Sequence, residues 1–293
     1  MELERVTSCD VCGSDAVVAF DPSISLCQCA DCGFLFRSPR PTLSTITEYY
    51  SRDTQYDDWL ANQQARDSLW RRRMRLVERY GKKGRLLDVG TGIGQFLACA
   101  KQRFEVDGTE ISSRAVDIAQ TRYGLKIRHG TLDQIDFGTD RFDVVTVFHV
   151  LEHVHSPRLL LMRCRELLVE NGLIVIAVPN DTCSWKRLPK SLLAFLGAGR
   201  FRNCGRFGLA PLTLERSGTE IHLSHFTPRT LERLLMGCGF RVIEQAIDPC
   251  HATTGLSHVI HEVMYHCCLW VYRSTGLNFG EALWVAAVKQ TPV

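Results

Sequence analysis

An α/β fold with a parallel sheet and helices on both faces, preceded by a small metal-held N-terminal domain, is predicted by three observations. From Lys83 onward, short apolar runs alternate with helix-compatible stretches. The first run, Leu86-Leu87-Asp88-Val89, ends in Gly90-Thr91-Gly92-Ile93-Gly94-Gln95-Phe96, which reads as a buried strand, a tight bare turn and a helix start. Ahead of it, Cys9-Asp10-Val11-Cys12-Gly13 and Cys29-Ala30-Asp31-Cys32-Gly33 form two C-x-x-C-G knuckles with 16 residues between them.

The knuckles come first in the chain. Two paired thiolates at this separation can close a tetrahedral zinc site, with Cys9, Cys12, Cys29 and Cys32 as ligands. Four protein ligands leave no open position, so the site is structural, and metal supplies folding energy that so short a segment cannot gain from its core. Cys27 is an extra thiol whose spacing breaks the knuckle pattern. The zinc domain is expected over residues 1–40, with Ser38-Pro39-Arg40-Pro41 as a linker.

Residues 41–84 read as a helical cap that buries Tyr49, Tyr50, Tyr56, Trp59, Leu60, Leu69, Trp70, Met74 and Leu76. Three basic residues in a row scatter around a helix, so Arg71-Arg72-Arg73 is expected to form a solvated face. The main domain spans 85–293. Its predicted strands are 85–90, 104–110, 125–129, 142–148 and 173–178, and its helices are 94–103, 112–123, 157–169 and 229–237. Thr227-Pro228 gives the last helix an N-cap and a first-turn proline. Residues 181–219 are long and poorly periodic, and are expected to cover the acceptor site. Residues 250–275 form a helical insertion. Its stripe of Leu256, Val259, Ile260, Val263, Met264, Cys267, Trp270 and Val271 can seal the sheet, contact a second subunit or touch a lipid; inward packing is the default expectation, with His258, His261, Glu262 and His266 toward solvent.

The glycine turn reads G-x-G-x-G rather than the G-x-G-x-x-G of a dinucleotide site. Asp88, two residues before the first glycine, repels a pyrophosphate and suits a cationic ligand such as S-adenosylmethionine (SAM). Glu110 closes the second strand 22 residues later, where a carboxylate takes ribose hydroxyls. Composition is that of an ordinary globular chain, with 45% hydrophobic and 23% charged residues. The net charge of +3 is too weak to argue for nucleic acid or for an anionic membrane surface, and a nucleic-acid partner is not expected. There is no run of 18 apolar residues and no signal-peptide layout at Met1-Glu2-Leu3-Glu4-Arg5, so a cytoplasmic protein with reduced thiols is expected.

Residues 85–178 resemble class I SAM-dependent methyltransferases, in Leu87–Gly94, Glu110, Phe142-Asp143-Val144-Val145, Val150-Leu151-Glu152-His153-Val154 and Asn171-Gly172-Leu173-Ile174. Val178-Pro179-Asn180 and His222-Leu223-Ser224-His225-Phe226-Thr227 are similar to members that carry a four-cysteine knuckle pair. The resemblance implies a Rossmann-like sheet of seven strands. Residues 240–248 are its sixth strand and Phe279–Lys289 its seventh, antiparallel one. It implies SAM contacts from Asp88, Gly90, Thr91, Gly92, Gly94, Glu110 and Ile111, from Thr131 and Leu132 beside the adenine, and from Phe148 and His149 beside the methyl.

Methyl transfer is an in-line displacement that needs a positioned acceptor and, for a hydroxyl, a base. His222 and His225 are the preferred candidates, followed by His149, His153 and Glu152. The segment His149–His153 is similar to a Glu-x-x-Glu-His segment that binds a divalent metal in small-RNA and ubiquinone-pathway methyltransferases; His149 replaces the first glutamate. The expected acceptor is a small or carrier-linked molecule: a sugar nucleotide, an aromatic or a lipid-linked compound, methylated on oxygen. The alternatives are an RNA methyltransferase that grips RNA through the knuckles, and a SAM- or partner-binding protein without turnover. The oligomeric state is left open, with a dimer among the options.

Overall fold

The structure is a computed structural model that describes residues 2–51, 55–196, 204–213 and 220–290. Strands β1 (Leu3–Glu4), β2 (Val17–Asp21), β3 (Leu26–Cys29), β4 (Leu35–Arg37) and β5 (Arg40–Pro41) open the chain. The stretch expected as a linker is part of this module: Arg40-Pro41 pairs antiparallel with Leu3-Glu4. Helices α1 (Leu43–Ser51), α2 (Gln55–Ala61) and α3 (Gln63–Glu78) follow. Tyr56, Leu69 and Met74 are buried, while Tyr49, Tyr50, Trp59, Leu60, Trp70 and Leu76 are half-buried.

The main sheet is built from β6 (Arg85–Val89), β7 (Glu105–Glu110), β8 (Ile127–His129), β9 (Phe142–Phe148) and β10 (Leu168–Pro179), interleaved with α4 (Gln95–Ala100), α5 (Ser113–Tyr123) and α6 (Pro157–Leu167). Next come α7 (Arg187–Phe195), β11 (Ser224–His225), α8 (Pro228–Gly237), β12 (Phe240–Ile247), α9 (Gly255–Thr275) and β13 (Ala282–Lys289). The seven-stranded order is β12-β13-β10-β9-β6-β7-β8. Only β13 runs antiparallel to its neighbours, as the resemblance implied. Apolar β-branched strands such as Val144-Val145 and Leu173–Val178 are covered on both faces, which is how a parallel sheet is buried. The capping chemistry of α8 also holds, with Thr227 and Thr230 forming a capping box behind Pro228.

The N-terminal module does not stand apart. β11, far downstream of β4 in the chain, completes its sheet in the order β11-β4-β3-β2. Cys9, Val11, Phe34 and Phe36 share one core with Phe226, Leu231 and Leu234. Asp10 caps α6, accepting from Ser156 Oγ at 2.8 Å and from the Arg158 amide at 2.7 Å.

Two expectations are overturned. The basic run is not a solvated face: Arg71 is exposed, but Arg73 is buried against Asp248 and Arg72 bonds Glu262 and the His251 carbonyl. Partners 175 or more residues away recruit these cations, which a local count of charges does not reveal. The stripe of α9 is also reversed. His258 and His261 lie inward beside the His251 ring, while Leu256, Val259, Ile260, Val263 and Trp270 are exposed. The covering of residues 181–219 contains α7 and a 3₁₀ turn at Arg206–Gly208; residues 197–203 and 214–219 lie outside the described set.

Candidate active site

A cavity of about 720 Å³ opens at the carboxyl ends of β6, β7, β9 and β10, where ligands bind in sheets of this kind. Its floor is the glycine turn. Gly90 and Gly92 have φ of 69° and 56°, and a Cβ would meet Val150 at 2.5 Å and Trp59 at 2.7 Å respectively. Side chains at these positions are excluded both by conformation and by space. Asp88, Gly90, Thr91, Gly92, Glu110, Ile111, Thr131, Leu132, Phe148 and His149 all line the cavity. Gly94 does not; it lies at the start of α4, where a Cβ would meet Leu125 and Ala119. Its glycine serves a φ of 80° and close helix packing rather than ligand contact.

Asp88 accepts from Thr146 Oγ1 at 2.6 Å. Burial pushes its carboxyl up to about 7, against the pull of the Thr146 and Thr91 hydroxyls and Arg73. Glu110 is oriented by two backbone amides, Gly92 at 2.8 Å and Ser112 at 3.0 Å. Phe148 packs against Phe96 and Trp284 at centroid distances of 5.0 and 5.5 Å, which fixes one wall.

Beside this cradle lies a cluster of imidazoles and carboxylates. His149, His153 and His222 line the cavity, while Glu152 and His225 are buried behind it. Asp181 Oδ2 accepts from His222 Nδ1 at 2.8 Å and from His225 Nδ1 at 2.9 Å, and Oδ1 accepts from Arg187 at 2.7 Å. These bonds hold the Asp181 carboxyl well below the usual carboxylate range despite its burial. An ionised carboxylate only accepts, so both Nδ1 atoms carry hydrogen and both Nε2 atoms are left for other work. The His153 ring is fixed the same way, because Nδ1 meets the Ile221 carbonyl at 2.7 Å. His149 is held through Nε2 by an Arg73 guanidinium nitrogen at 2.7 Å.

The consequence centres on Glu152. Its side chain is 1% exposed, and the nitrogens nearest Oε1, His149 Nδ1 at 3.4 Å and His153 Nε2 at 3.7 Å, are long for a hydrogen bond. A ligating atom of Glu152, one of His153 and one of His222 lie within 4.8 Å of one another. Nε2 of His222 turns to the same place, 3.5 Å from Glu220 Oε2. A carboxylate and two imidazoles therefore converge on one spot. Buried polar groups are nearly always satisfied, so this spot calls for a proton or a cation.

Of the two histidines preferred as base, His222 lines the cavity and His225 does not. Burial opposes charge on His222, but its bonds to Asp181 and Glu220 raise its pKa to about 10. In that charged form Nε2 carries a proton, which a cation bound there would have to displace. His225 lies off the cavity and helps hold Asp181. Sequence reasoning missed Asp181 altogether, although an acid directly after the fifth strand's Pro179-Asn180 was a legible signal. It also missed Tyr50, whose hydroxyl lies 3.0 Å from His153 Nδ1 and which was taken only as core.

At the N-terminus, the Cys9–Cys32 and Cys12–Cys29 sulfurs are 3.5 and 3.6 Å apart, and all four lie within 4.8 Å. Tetrahedral zinc with Zn–S of about 2.3 Å has sulfurs about 3.8 Å apart, so the four thiols fit it. Gly13 and Gly33 take φ of 76° and 77° and donate back to the Cys9 and Cys29 carbonyls. Of the three cations in residues 1–50, Arg37 is buried and Arg40 pairs with Glu4, leaving Arg5 exposed, a poor footprint for RNA.

A methyltransferase-domain family matches residues 61–245, and the chain belongs to it. It therefore carries a class I SAM-dependent methyltransferase domain, which is an enzyme domain. Among curated relatives, the ubiquinone biosynthesis O-methyltransferase of Rhodopseudomonas palustris (strain HaA2) is 31% identical over 168 residues, covering 55% of this chain and 60% of the relative. That of Roseobacter denitrificans is 37% identical over 122 residues, covering 39% and 46%. The chain thus spans about half the length of the curated relatives it matches. In fold it is similar to magnesium protoporphyrin IX methyltransferase of Synechocystis PCC 6803, with a TM-score of 0.51 and 15% identity over 84% of this chain and 99% of that one. It is also similar to a SAM-dependent methyltransferase of Thermotoga maritima, with a TM-score of 0.54 and 15% identity over 84% and 100%.

Proposed function

We propose that this chain transfers the methyl group of SAM to an oxygen of a small or carrier-linked metabolite. The observation that carries this reading is the convergence of Glu152, His153 and His222 at the wall of the SAM-sized cavity. Named relatives that methylate oxygen in ubiquinone biosynthesis support it. SAM lies over Gly90–Gly92, with its cationic end toward Asp88 and its ribose on Glu110. The acceptor oxygen attacks the methyl carbon, the C–S bond breaks, and the electron pair stays on sulfur as S-adenosylhomocysteine. Phe148 and Trp284 keep one wall dry, which strengthens the attraction between anionic oxygen and sulfonium.

Glu152, His153 and His222 are suited to hold a divalent cation, with Asp181 and the Ile221 carbonyl fixing the two rings from behind. An ion held there would lower the pKa of the acceptor hydroxyl. Cys9, Cys12, Cys29 and Cys32 hold a structural zinc ion.

Purified protein with SAM, Mg²⁺ and a panel of hydroxylated aromatic and sugar-nucleotide acceptors should yield a methyl ether and S-adenosylhomocysteine by mass spectrometry. Product methylated only on nitrogen overturns the reading. Glu110→Ala should weaken SAM by roughly 1–3 kcal/mol in a calorimetric titration, the cost of losing a charged acceptor; unchanged affinity refutes the ribose role. Binding should also depend on pH. With its carboxyl at about 7, Asp88 is increasingly protonated below neutrality and no longer attracts a cation. SAM affinity should therefore rise with pH through about 7 and level off above it, and Asp88→Asn should flatten the profile.

A further inference from the structure

Helix α1 forms one wall of the cavity through Leu43, Ile46, Thr47 and Tyr50. Ile46 is buried with Ile221 and Leu223, in the stretch that leads into β11. That packing sets Tyr50 against His153, with ring centroids 5.7 Å apart and edge to face. The Tyr50 hydroxyl then has two nitrogen neighbours, the Ile221 amide at 3.2 Å and His153 Nδ1 at 3.0 Å.

A count of hydrogens decides what this hydroxyl does. An amide only donates, so the Ile221 N–H points at the Tyr50 oxygen. His153 Nδ1 also lies 2.7 Å from the Ile221 carbonyl, and a carbonyl only accepts. Two lone pairs facing each other at that distance repel. Nδ1 therefore carries a hydrogen, which the carbonyl and the phenol oxygen share. Both nitrogens beside the hydroxyl are thus donors, and they take up both of its lone pairs. A phenol titrates at about 10 and keeps its own hydrogen at neutral pH. That hydrogen cannot go to either nitrogen, and Tyr50 bonds no other group among the described residues. Its remaining direction is toward the cavity that Tyr50 and His153 both line. The hydroxyl is a fixed donor in want of an acceptor.

Position narrows what it meets. The same imidazole turns Nδ1 to Tyr50 and Nε2 to Glu152, 3.7 Å away. The Tyr50 hydroxyl and the Glu152 cluster therefore flank one five-membered ring. The oxygen that attacks the methyl needs its electron density, and a hydrogen bond would draw that density off. A neighbouring oxygen of the same molecule has no such need.

We infer that Tyr50 donates its hydroxyl hydrogen to the acceptor molecule, at an oxygen beside the one that is methylated. It thereby selects hydroxylated compounds that carry a second oxygen close by, as a carboxylate, a carbonyl or another hydroxyl. This choice of acceptor rests on methyl transfer to oxygen; the direction of the Tyr50 hydrogen does not.

The direction is tested without any acceptor. In nitrogen NMR of protein labelled at histidine, the His153 signals, assigned by their loss in His153→Gln, should show hydrogen on Nδ1. Hydrogen on Nε2 alone means that Tyr50 donates to the ring, and overturns the inference whatever atom is methylated. The acceptor is tested with Tyr50→Phe, which keeps the ring and removes the donor. For salicylate, whose carboxylate sits beside its hydroxyl, KM should rise at least about tenfold, the loss of a hydrogen bond to a charged group. SAM affinity and the KM for phenol, which lacks the second oxygen, should stay near those of the parent. Equal KM for salicylate in parent and variant overturns the inference. So does an equal rise for salicylate and phenol, which marks Tyr50 as no more than a prop for Ile221 and His153.

Discussion

Replacing Glu152 by Gln is expected to cut kcat by at least about a hundredfold, ~3 kcal/mol of transition-state stabilisation, while SAM affinity stays near that of the parent. The carboxylate has only long contacts with imidazole nitrogens, His149 Nδ1 at 3.4 Å being the nearest, yet its charge is kept. Burial pushes its pKa up, and the nearby His153, His149 and His222 rings more than reverse that, so it lies below the ordinary value. The isosteric amide keeps the shape and removes the charge. In metal-free protein this change should leave Tm unchanged or raise it, because a buried carboxylate with only long contacts is costly. Loss of turnover at constant or higher Tm separates a functional carboxylate from a structural one. A variant that retains full kcat would remove Glu152 from the chemistry, and with it the cation site shared with His153 and His222. Isothermal titration with Mn²⁺ gives a second measure: parent should bind, and the variant should not.

The second large effect is expected at a distance from the cavity. Cys12→Ser should release zinc and silence turnover while SAM still binds. The path is short and made of main-chain bonds. The Cys29 amide donates to the Phe34 carbonyl at 2.9 Å, which sets the turn into β4. Ser224 and His225 pair with Phe36 and Leu35 of β4, and the Arg37 amide donates to the Leu223 carbonyl at 2.9 Å. On the other side, the Leu223 and Ser224 amides donate to the Glu152 carbonyl at 2.8 and 3.1 Å. The strand bearing His225, three residues beyond His222, is thus held between the knuckle module and the Glu152 turn. Binding of structural zinc supplies about 10–16 kcal/mol in small modules, more than a sheet this small gains otherwise. Without it β4 frays and the histidine strand loses one of its two supports. Hydrogen exchange should speed up at Leu35, Phe36 and His225 but not at Leu86–Val89 of the main sheet. If zinc leaves and those amides stay protected, the module does not support the site.

Most of the SAM cradle could be read in advance because it is local. Asp88, Gly90 and Gly92 sit within five residues, and the bare turn has one purpose whatever surrounds it. Glu110 followed from strand periodicity, and the four thiols from spacing and the turn glycines after them. The cluster around Glu152 was only half legible. Its histidines were noticed, but their roles depend on which atom each ring uses for support, and those supports are distant. Asp181 lies 41 residues from His222 and the Ile221 carbonyl 68 from His153. Arg73 was misread for the same reason, since Asp248 lies 175 residues on.

By itself the sequence determined the order of strands and helices, the glycine bend with its acidic strand tip, and the four-thiol cluster. Each is set by backbone conformation and by neighbours within a few residues. Tertiary structure alone decided that β11 joins the knuckle sheet, that His222 is locked by Asp181 and that the apolar stripe of α9 faces outward. Those outcomes depend on which surfaces meet, and periodicity shows that a helix has two faces without saying which one the fold covers.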